Sequence, residues 1–194
     1  MTFAVIPTRT ERKTLWPLID ILLEAGITPV IVRTWEHAKP VPGAIELDGW
    51  DKMSITYWWN LGIDYVTKTM PNAPVLVLND DLGMSVEMVN ELLDELKDND
   101  LIWSKNYGPY VYSPFSGACF GLRAGTIRLD EQFVWWHGDD DLYHRAKEAG
   151  LRLKETKVEP IHVRTTDYEN WGTTMFADDI PRDTALFINR WGEQ

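Results

Sequence analysis

The chain has 194 residues, 44% of them hydrophobic, and a formal net charge of −11. That length allows one domain with a sizeable core, and the hydrophobic fraction excludes disorder over most of it. The charge disfavours nonspecific nucleic-acid binding, which needs clustered Lys and Arg, so a phosphorylated ligand would need a local cation or a divalent metal.

Cys119 is the only cysteine, which excludes an intramolecular disulfide and a Cys-ligated zinc site and suits a reducing compartment. Within the apolar Ala118-Cys119-Phe120 it reads as a core residue. The N-terminus has no signal-peptide pattern and no apolar run approaches ~20 residues, so a soluble, cytoplasmic protein is expected. Ten tryptophans point to an aromatic core or to stacking surfaces for flat or sugar-like ligands.

Phe3-Ala4-Val5-Ile6 reads as a buried strand ended by Pro7. A helix follows, with Leu15, Leu18, Ile19, Leu22 and Leu23 on one face, Thr14 as N-cap, Pro17 in its first turn and Gly26 at its end. Val30-Ile31-Val32 is a second strand, and strand, helix and strand in so short a span predict a βαβ unit in a parallel sheet. Residues 44–47 form a weaker third strand. Ile55, Trp59, Ile63 and Val66 recur at helical spacing. Val75-Leu76-Val77-Leu78 is the next strand, after Pro71 and Pro74. Ser85 caps a helix with Val86, Val89, Leu92, Leu93 and Leu96 inward, and Leu101-Ile102-Trp103 is another strand.

Beyond Trp103 the βα rhythm stops. Residues 104–136 are rich in Gly, Pro and aromatics, which predicts loops and strands of different direction. A helix over about 140–149 buries Leu142, Ala146 and Ala149, and 151–158 reads as an alternating strand. The whole is a single α/β domain, parallel in its first half and mixed in its second.

Two acidic clusters and one histidine carry the chemistry. Asn79-Asp80-Asp81 follows a strand, where open α/β sheets bind ligands, and Pro7-Thr8-Arg9 lies at a similar end. Carboxylates there can hold Mg²⁺ or Mn²⁺ while leaving sites for substrate phosphates, or can form an ordinary polar turn. Asp139-Asp140-Asp141 opens a helix, where one Asp suffices for capping. Three adjacent like charges ask for a positive partner, a chemical task or full solvation. His162, between Ile161 and Val163, is either a core histidine or a further metal ligand. Trp135 and Trp136 are either core or an aromatic face for a sugar, at least one being structural. His137 lies close enough to orient Asp139. There is no Gly-x-Gly-x-x-Gly, P-loop or Gly-x-Ser-x-Gly elbow.

The order of these pieces resembles the family 2 glycosyltransferases, inverting enzymes of the GT-A fold. Val5-Ile6-Pro7-Thr8-Arg9 is similar to the family's first strand and donor loop, Asn60-Leu61-Gly62-Ile63 to its Asn-x-Gly segment, and Leu78-Asn79-Asp80-Asp81 to its Asp-x-Asp motif. The stretch Ser116-Gly117-Ala118, Leu129-Asp130-Glu131-Gln132-Phe133, Asp139-Asp140-Asp141-Leu142, Arg145-Ala146 and Ala149-Gly150 resembles the family pattern Gly-Ala, Phe-Asp-Glu-x-Phe, Glu-Asp-x-Asp-Leu, Arg-Ala and Ala-Gly. Gly138 stands in place of the family's Glu, Asn79 in place of the first Asp of the metal motif, and Leu129 in place of Phe.

The resemblance implies a GT-A mixed α/β sheet flanked by helices over residues 1–164. Residues 165–194 follow as a C-terminal extension, a candidate lid or a packed appendage. It implies Asp139 as catalytic base, Asp81 and His162 as ligands of Mn²⁺ or Mg²⁺, and Pro7, Thr8, Arg9, Asn60, Asn79 and Asp80 at the nucleotide-diphosphate sugar donor. Trp135, Trp136 and Asp140 would face the acceptor, which the sequence leaves open among protein, glycan, lipid-linked sugar and modified nucleobase. A nucleotidyltransferase and a catalytically silent nucleotide-sugar-binding protein are the alternatives.

Overall fold

The computed structural model describes residues 1–9, 12–105, 112–163 and 175–192. Seven strands form one sheet: β1 (Thr2–Thr8), β2 (Ile27–Arg33), β3 (Ile45–Asp48), β4 (Pro74–Leu78), β6 (Leu101–Trp103), β7 (Cys119–Arg123) and β8 (Leu153–Glu155). Their order is β3-β2-β1-β4-β7-β6-β8, and a separate ladder joins β5 (Leu82–Gly83) to β9 (Ile161–His162). The helices are α1 (Leu15–Glu24), α2 (Ile55–Thr69), α3 (Val86–Asp98), α4 (Gly138–Glu148) and α5 (Asp179–Trp191).

β1, β2, β3 and β4 run parallel, as the βαβ reading requires. β7 is antiparallel to both of its neighbours, β4 and β6, while β6 and β8 are parallel. The change of direction expected after Trp103 is this one inserted strand. β1 continues through Pro7 to Thr8, paired with Arg33 of β2. Its ladder to β4 stops at Val5, so the missing N–H of Pro7 removes no bond on that side.

Because strand side chains alternate, the parallel strands feed two cores at once. Phe3, Val5, Val30, Val32, Val75 and Val77 face α2 and α4, whereas Ala4, Ile6, Ile31, Leu76 and Leu78 face α1 and α3. Burying apolar surface on both faces gives the domain its main stabilisation, at about 25 cal/mol per Å². α2 lies directly on β1: a Cβ at Gly62 would collide with the Val5 side chain. Trp58 and Trp59 are buried beside it, so part of the tryptophan content is core.

Ser54 and Ser85 cap α2 and α3, each hydroxyl accepting from the amide three residues on, at 3.3 Å. α3 buries Val89, Leu92 and Leu96, and α4 buries Leu142 and Ala146, but Ala149 is exposed because α4 has ended at Glu148. The strand expected over 151–158 is only β8; the chain then turns away, with Lys105 N bonding Val158 O. Among the described residues, no helix is long and apolar enough to cross a membrane.

Candidate active site at the carboxyl edge of the sheet

β1 and β4 are adjacent and parallel, so the segments after Thr8 and Leu78 emerge side by side. Thr8 Oγ1 donates to Asp80 Oδ2 at 2.7 Å, and Thr14 Oγ1 donates to the Asp80 carbonyl at 2.8 Å. Thr14 does occupy the N-cap position of α1, but its hydroxyl ties α1 to the acidic loop instead of capping the helix. Arg12 lies 3.3 Å from Asp80 Oδ1 and makes an ion pair with Asp81 Oδ2. Burial pushes the Asp80 carboxyl up to about 6, against the Arg12 guanidinium and the Thr8 hydroxyl. Arg9 stacks its guanidinium over the half-exposed Trp35 ring, 4.6 Å from the centroid, at the end of β2. Asn79 is partly exposed, and its backbone N–H donates to Ala118 O at 2.9 Å.

The β5–β9 ladder brings the two expected metal ligands together. Leu82 pairs with His162, Val163 N bonds Asp81 O at 2.8 Å, and His162 Nε2 lies 3.0 Å from Asp81 Oδ1. Burial would raise the Asp81 carboxyl, but His162 and Arg12 hold it below the usual carboxylate range. Oδ1 of Asp81 is buried and makes no well-aligned hydrogen bond. A buried carboxylate oxygen beside an imidazole is a donor pair that fits Mn²⁺ or Mg²⁺, ions that take further oxygens from phosphate and water. Among the described residues no group of three or more His, Cys, Asp or Glu is arranged as a metal site, so these residues offer two donors and no closed cage.

Asp139 lies in the first turn of α4. Its Oδ2 accepts from Gly117 N and its Oδ1 from Asp140 N, both at 3.1 Å. A Cβ at Gly117 would stand 2.6 Å from Asp139 Oδ2, so only glycine lets the backbone reach this carboxylate. Burial, reinforced by the charge of Asp140, pushes the Asp139 carboxyl up to about 6. Gly138 has a packing cause: a Cβ there would run into Cγ2 of Thr56, whose hydroxyl bonds Phe133 O. Residues 117–118 link the two halves of the site, Gly117 holding Asp139 and Ala118 holding Asn79.

Several expected roles are redirected by these contacts. The Asn60 carboxamide is fully buried, donating to Leu129 O and Glu131 Oε1 and accepting from Leu129 N at 3.0 Å. It bridges α2 to the 129–131 loop and is not open to a donor. Both oxygens of Asp140 are engaged within the protein, one by the Ser113 hydroxyl and one by His137 Nδ1 at 2.8 Å. His137 therefore orients Asp140, not Asp139. Trp135 stacks on Phe176 at 4.1 Å between ring centroids and 7° between planes, whereas Trp136 is 48% exposed. Of the adjacent pair, one is structural and one is open. Cys119 is buried in β7 with its thiol pushed up to about 12 by burial, as a core residue should be.

The positive partners of the second acidic cluster are found at Asp141. This fully buried carboxylate accepts from Arg145 Nε at 2.7 Å, Arg190 Nη1 at 2.7 Å and Trp191 Nε1 at 3.0 Å. Arg145 lies one helical turn on and was legible as an i,i+4 pair. Arg190 and Trp191 come from α5, and local spacing carries no signal for them. Residues 165–174, the first part of the candidate lid, lie outside the described residues.

No family model matches the sequence, and no curated protein matches it. Solved structures do. The 2-C-methyl-D-erythritol 4-phosphate cytidylyltransferase of Francisella tularensis superposes with a TM-score of 0.55 at 12% identity, over 89% of this chain and 100% of that one. TarS of S. aureus gives 0.57 at 14% identity, over 92% of this chain but 39% of that one. HddC of Yersinia pseudotuberculosis, complexed with GMP-PN, gives 0.52 at 10% identity, over 91% of this chain and 100% of that one. The fold is of the GT-A type. At these identities the likeness is one of fold.

Proposed function

We propose that the chain is an inverting, metal-assisted family 2 glycosyltransferase that moves a sugar from a nucleotide-diphosphate donor to an acceptor hydroxyl. The observation that carries this reading is the convergence at residues 117–118: the loop of the metal motif and the half-buried Asp139 hang on adjacent residues of one segment. A donor diphosphate at Asp81 and His162 would thus leave its sugar close to Asp139. Arg9, Thr8 and Pro7 would line the nucleotide side, with the guanidinium of Arg9 against phosphate or base.

In this reaction Asp139 accepts the acceptor's hydroxyl proton as that oxygen bonds to the anomeric carbon, and the bond from that carbon to the diphosphate oxygen breaks on the opposite face. A carboxyl near 6 is a stronger base than an exposed aspartate and is still ionised at neutral pH. A divalent ion held by Asp81 and His162 would supply positive charge to the departing nucleotide diphosphate. Trp136 offers an open aromatic face for the acceptor.

A nucleotidyltransferase is the second reading, favoured by the cytidylyltransferase likeness over all of that chain. A panel of nucleotide sugars and nucleoside triphosphates with Mn²⁺, scored by thermal shift and then by product, separates the two, since a bound ligand raises apparent stability by mass action. Glycosyl transfer releases a nucleoside diphosphate; nucleotidyl transfer releases pyrophosphate. Arg9→Ala should weaken donor binding more than it lowers the maximal rate. Pyrophosphate as the product would overturn the glycosyltransferase reading, and no shift with any nucleotide would leave a protein without this activity.

A further inference from the structure

The stretch that delivers Asp139 to the site, residues 133–138, belongs to no strand, and its first half is pinned from outside itself. Val134 O accepts from Ile55 N at 2.8 Å, and Phe133 O accepts from the Thr56 hydroxyl. The amides of Val134, Trp135 and Trp136 all donate to one atom, Oδ2 of Asp183 in α5, at 2.9, 2.8 and 3.0 Å. Asp183 is fully buried, and its other oxygen accepts from Arg182 Nη2 at 2.7 Å.

Three consecutive N–H groups cannot converge on one oxygen in extended backbone, where they alternate in direction. They converge only if the chain curls around an anion, and a buried carboxylate is tolerated only where such donors surround it. The curl runs into His137, whose φ of 57° is left-handed, and into the first turn of α4.

α5 makes the reverse contact as well. Arg190 bridges Asp130 at 2.8 Å and Asp141 at 2.7 Å, Trp191 reaches Asp141, and Phe187 stacks on His137 at 4.9 Å. Each side therefore places a buried carboxylate in the other: Asp183 under the turn before Asp139, and Asp141 under the end of α5.

We infer that α5 is the clasp that positions Asp139, with Asp183 as the positioning residue for the base. The inference rests on the role proposed above for Asp139. Asp183 touches no reacting atom; it fixes the path of the backbone from Phe133 to the helix that presents the base. Displacement of a reacting group by about 1 Å costs about 10²-fold in rate, so a carboxylate that sets this path also sets the rate.

Asp183→Asn in the full chain is the test. Asparagine must turn its NH₂ toward either Arg182 or the three amides, so donors face donors in both orientations. The expected result is faster hydrogen exchange at the amides of Val134, Trp135 and Trp136 and a displaced midpoint for Asp139 in a carboxyl NMR titration without substrate. Nucleotide-sugar affinity should be unchanged and turnover about 10²-fold lower. Arg190→Ala, which removes the one nitrogen that contacts both Asp130 and Asp141, is the second variant should Asp183→Asn fail to fold, with the same signature in milder form.

Unchanged exchange and an unchanged Asp139 midpoint in a folded variant would overturn the clasp, whatever the substrate. Altered exchange and midpoint, together with full transfer by Asp139→Asn, would uphold the clasp and overturn Asp139 as base.

Discussion

His162 Nε2 lies 3.0 Å from Oδ1 of Asp81, held there by the two-residue antiparallel ladder of β5 and β9. The other Asp81 oxygen is paired with Arg12, which also reaches Asp80. The arrangement sets one carboxylate oxygen and one imidazole nitrogen side by side, with the Arg12 guanidinium on the other carboxylate oxygen.

Asp81→Ala and His162→Ala should each weaken Mn²⁺ binding at least about tenfold, the cost of losing one ligand of a small set. Calorimetry with Mn²⁺ alone reads this without any sugar donor. Excess chelator should abolish transfer, and added Mn²⁺ or Mg²⁺ should restore it. Full activity in chelator would mean that Arg12 alone meets the charge of the diphosphate.

Asp139 gives a pH signature with a fixed sign. As a base it must be ionised, so the rate should fall about tenfold per pH unit below about 6 and level off above it. Asp139→Asn should lower transfer by ~10²–10⁴-fold at neutral pH. Stability runs the other way. The native carboxyl binds its proton more tightly than the unfolded one, so this group's contribution is greatest below about pH 4 and is lost as pH rises through about 6. The melting temperature of Asp139→Asn relative to wild type should therefore rise between pH 4 and pH 8, on top of a constant cost from turning its NH₂ toward Gly117 N or Asp140 N; an unchanged difference would contradict the raised carboxyl. Gly117→Ala should mimic the activity loss, because its methyl group would contact Oδ2.

Gly138 and Thr56 should behave as a coupled pair. Gly138→Ala drives a methyl group into Cγ2 of Thr56 and should cost about 1–3 kcal/mol, the usual penalty for overpacking. Thr56→Ser keeps the hydroxyl bonded to Phe133 O while removing Cγ2, so in the double variant most of that loss should return. Denaturant melts of the four proteins in the cycle measure it. Additive losses would show that Gly138 is required by its backbone and not by Thr56.

The sequence alone carried the local decisions. Continuous apolar runs marked β1, β2 and β4; Ser85 marked a helix start; and the apolar setting of Cys119 marked a core thiol, because each is fixed by neighbours a few positions away. The ordered motifs pointed to the GT-A architecture and paired Asp81 with His162, which the β5–β9 ladder brings together.

Only the tertiary structure decided which polar side chains remain open to a ligand. Asn60 and Asp141 look in sequence as available as Asp139, yet both are fully buried: Leu129 and Glu131 take the first, and Arg145, Arg190 and Trp191 the second. The change of strand direction after Trp103 was legible but not its place between β4 and β6, and the clasp of Asp183 on the 134–136 amides was silent. The physical reason is range. Periodicity and capping report on bonds within one turn or one strand, whereas a buried carboxylate is defined by donors that arrive from the far end of the chain, after the sheet has brought them together.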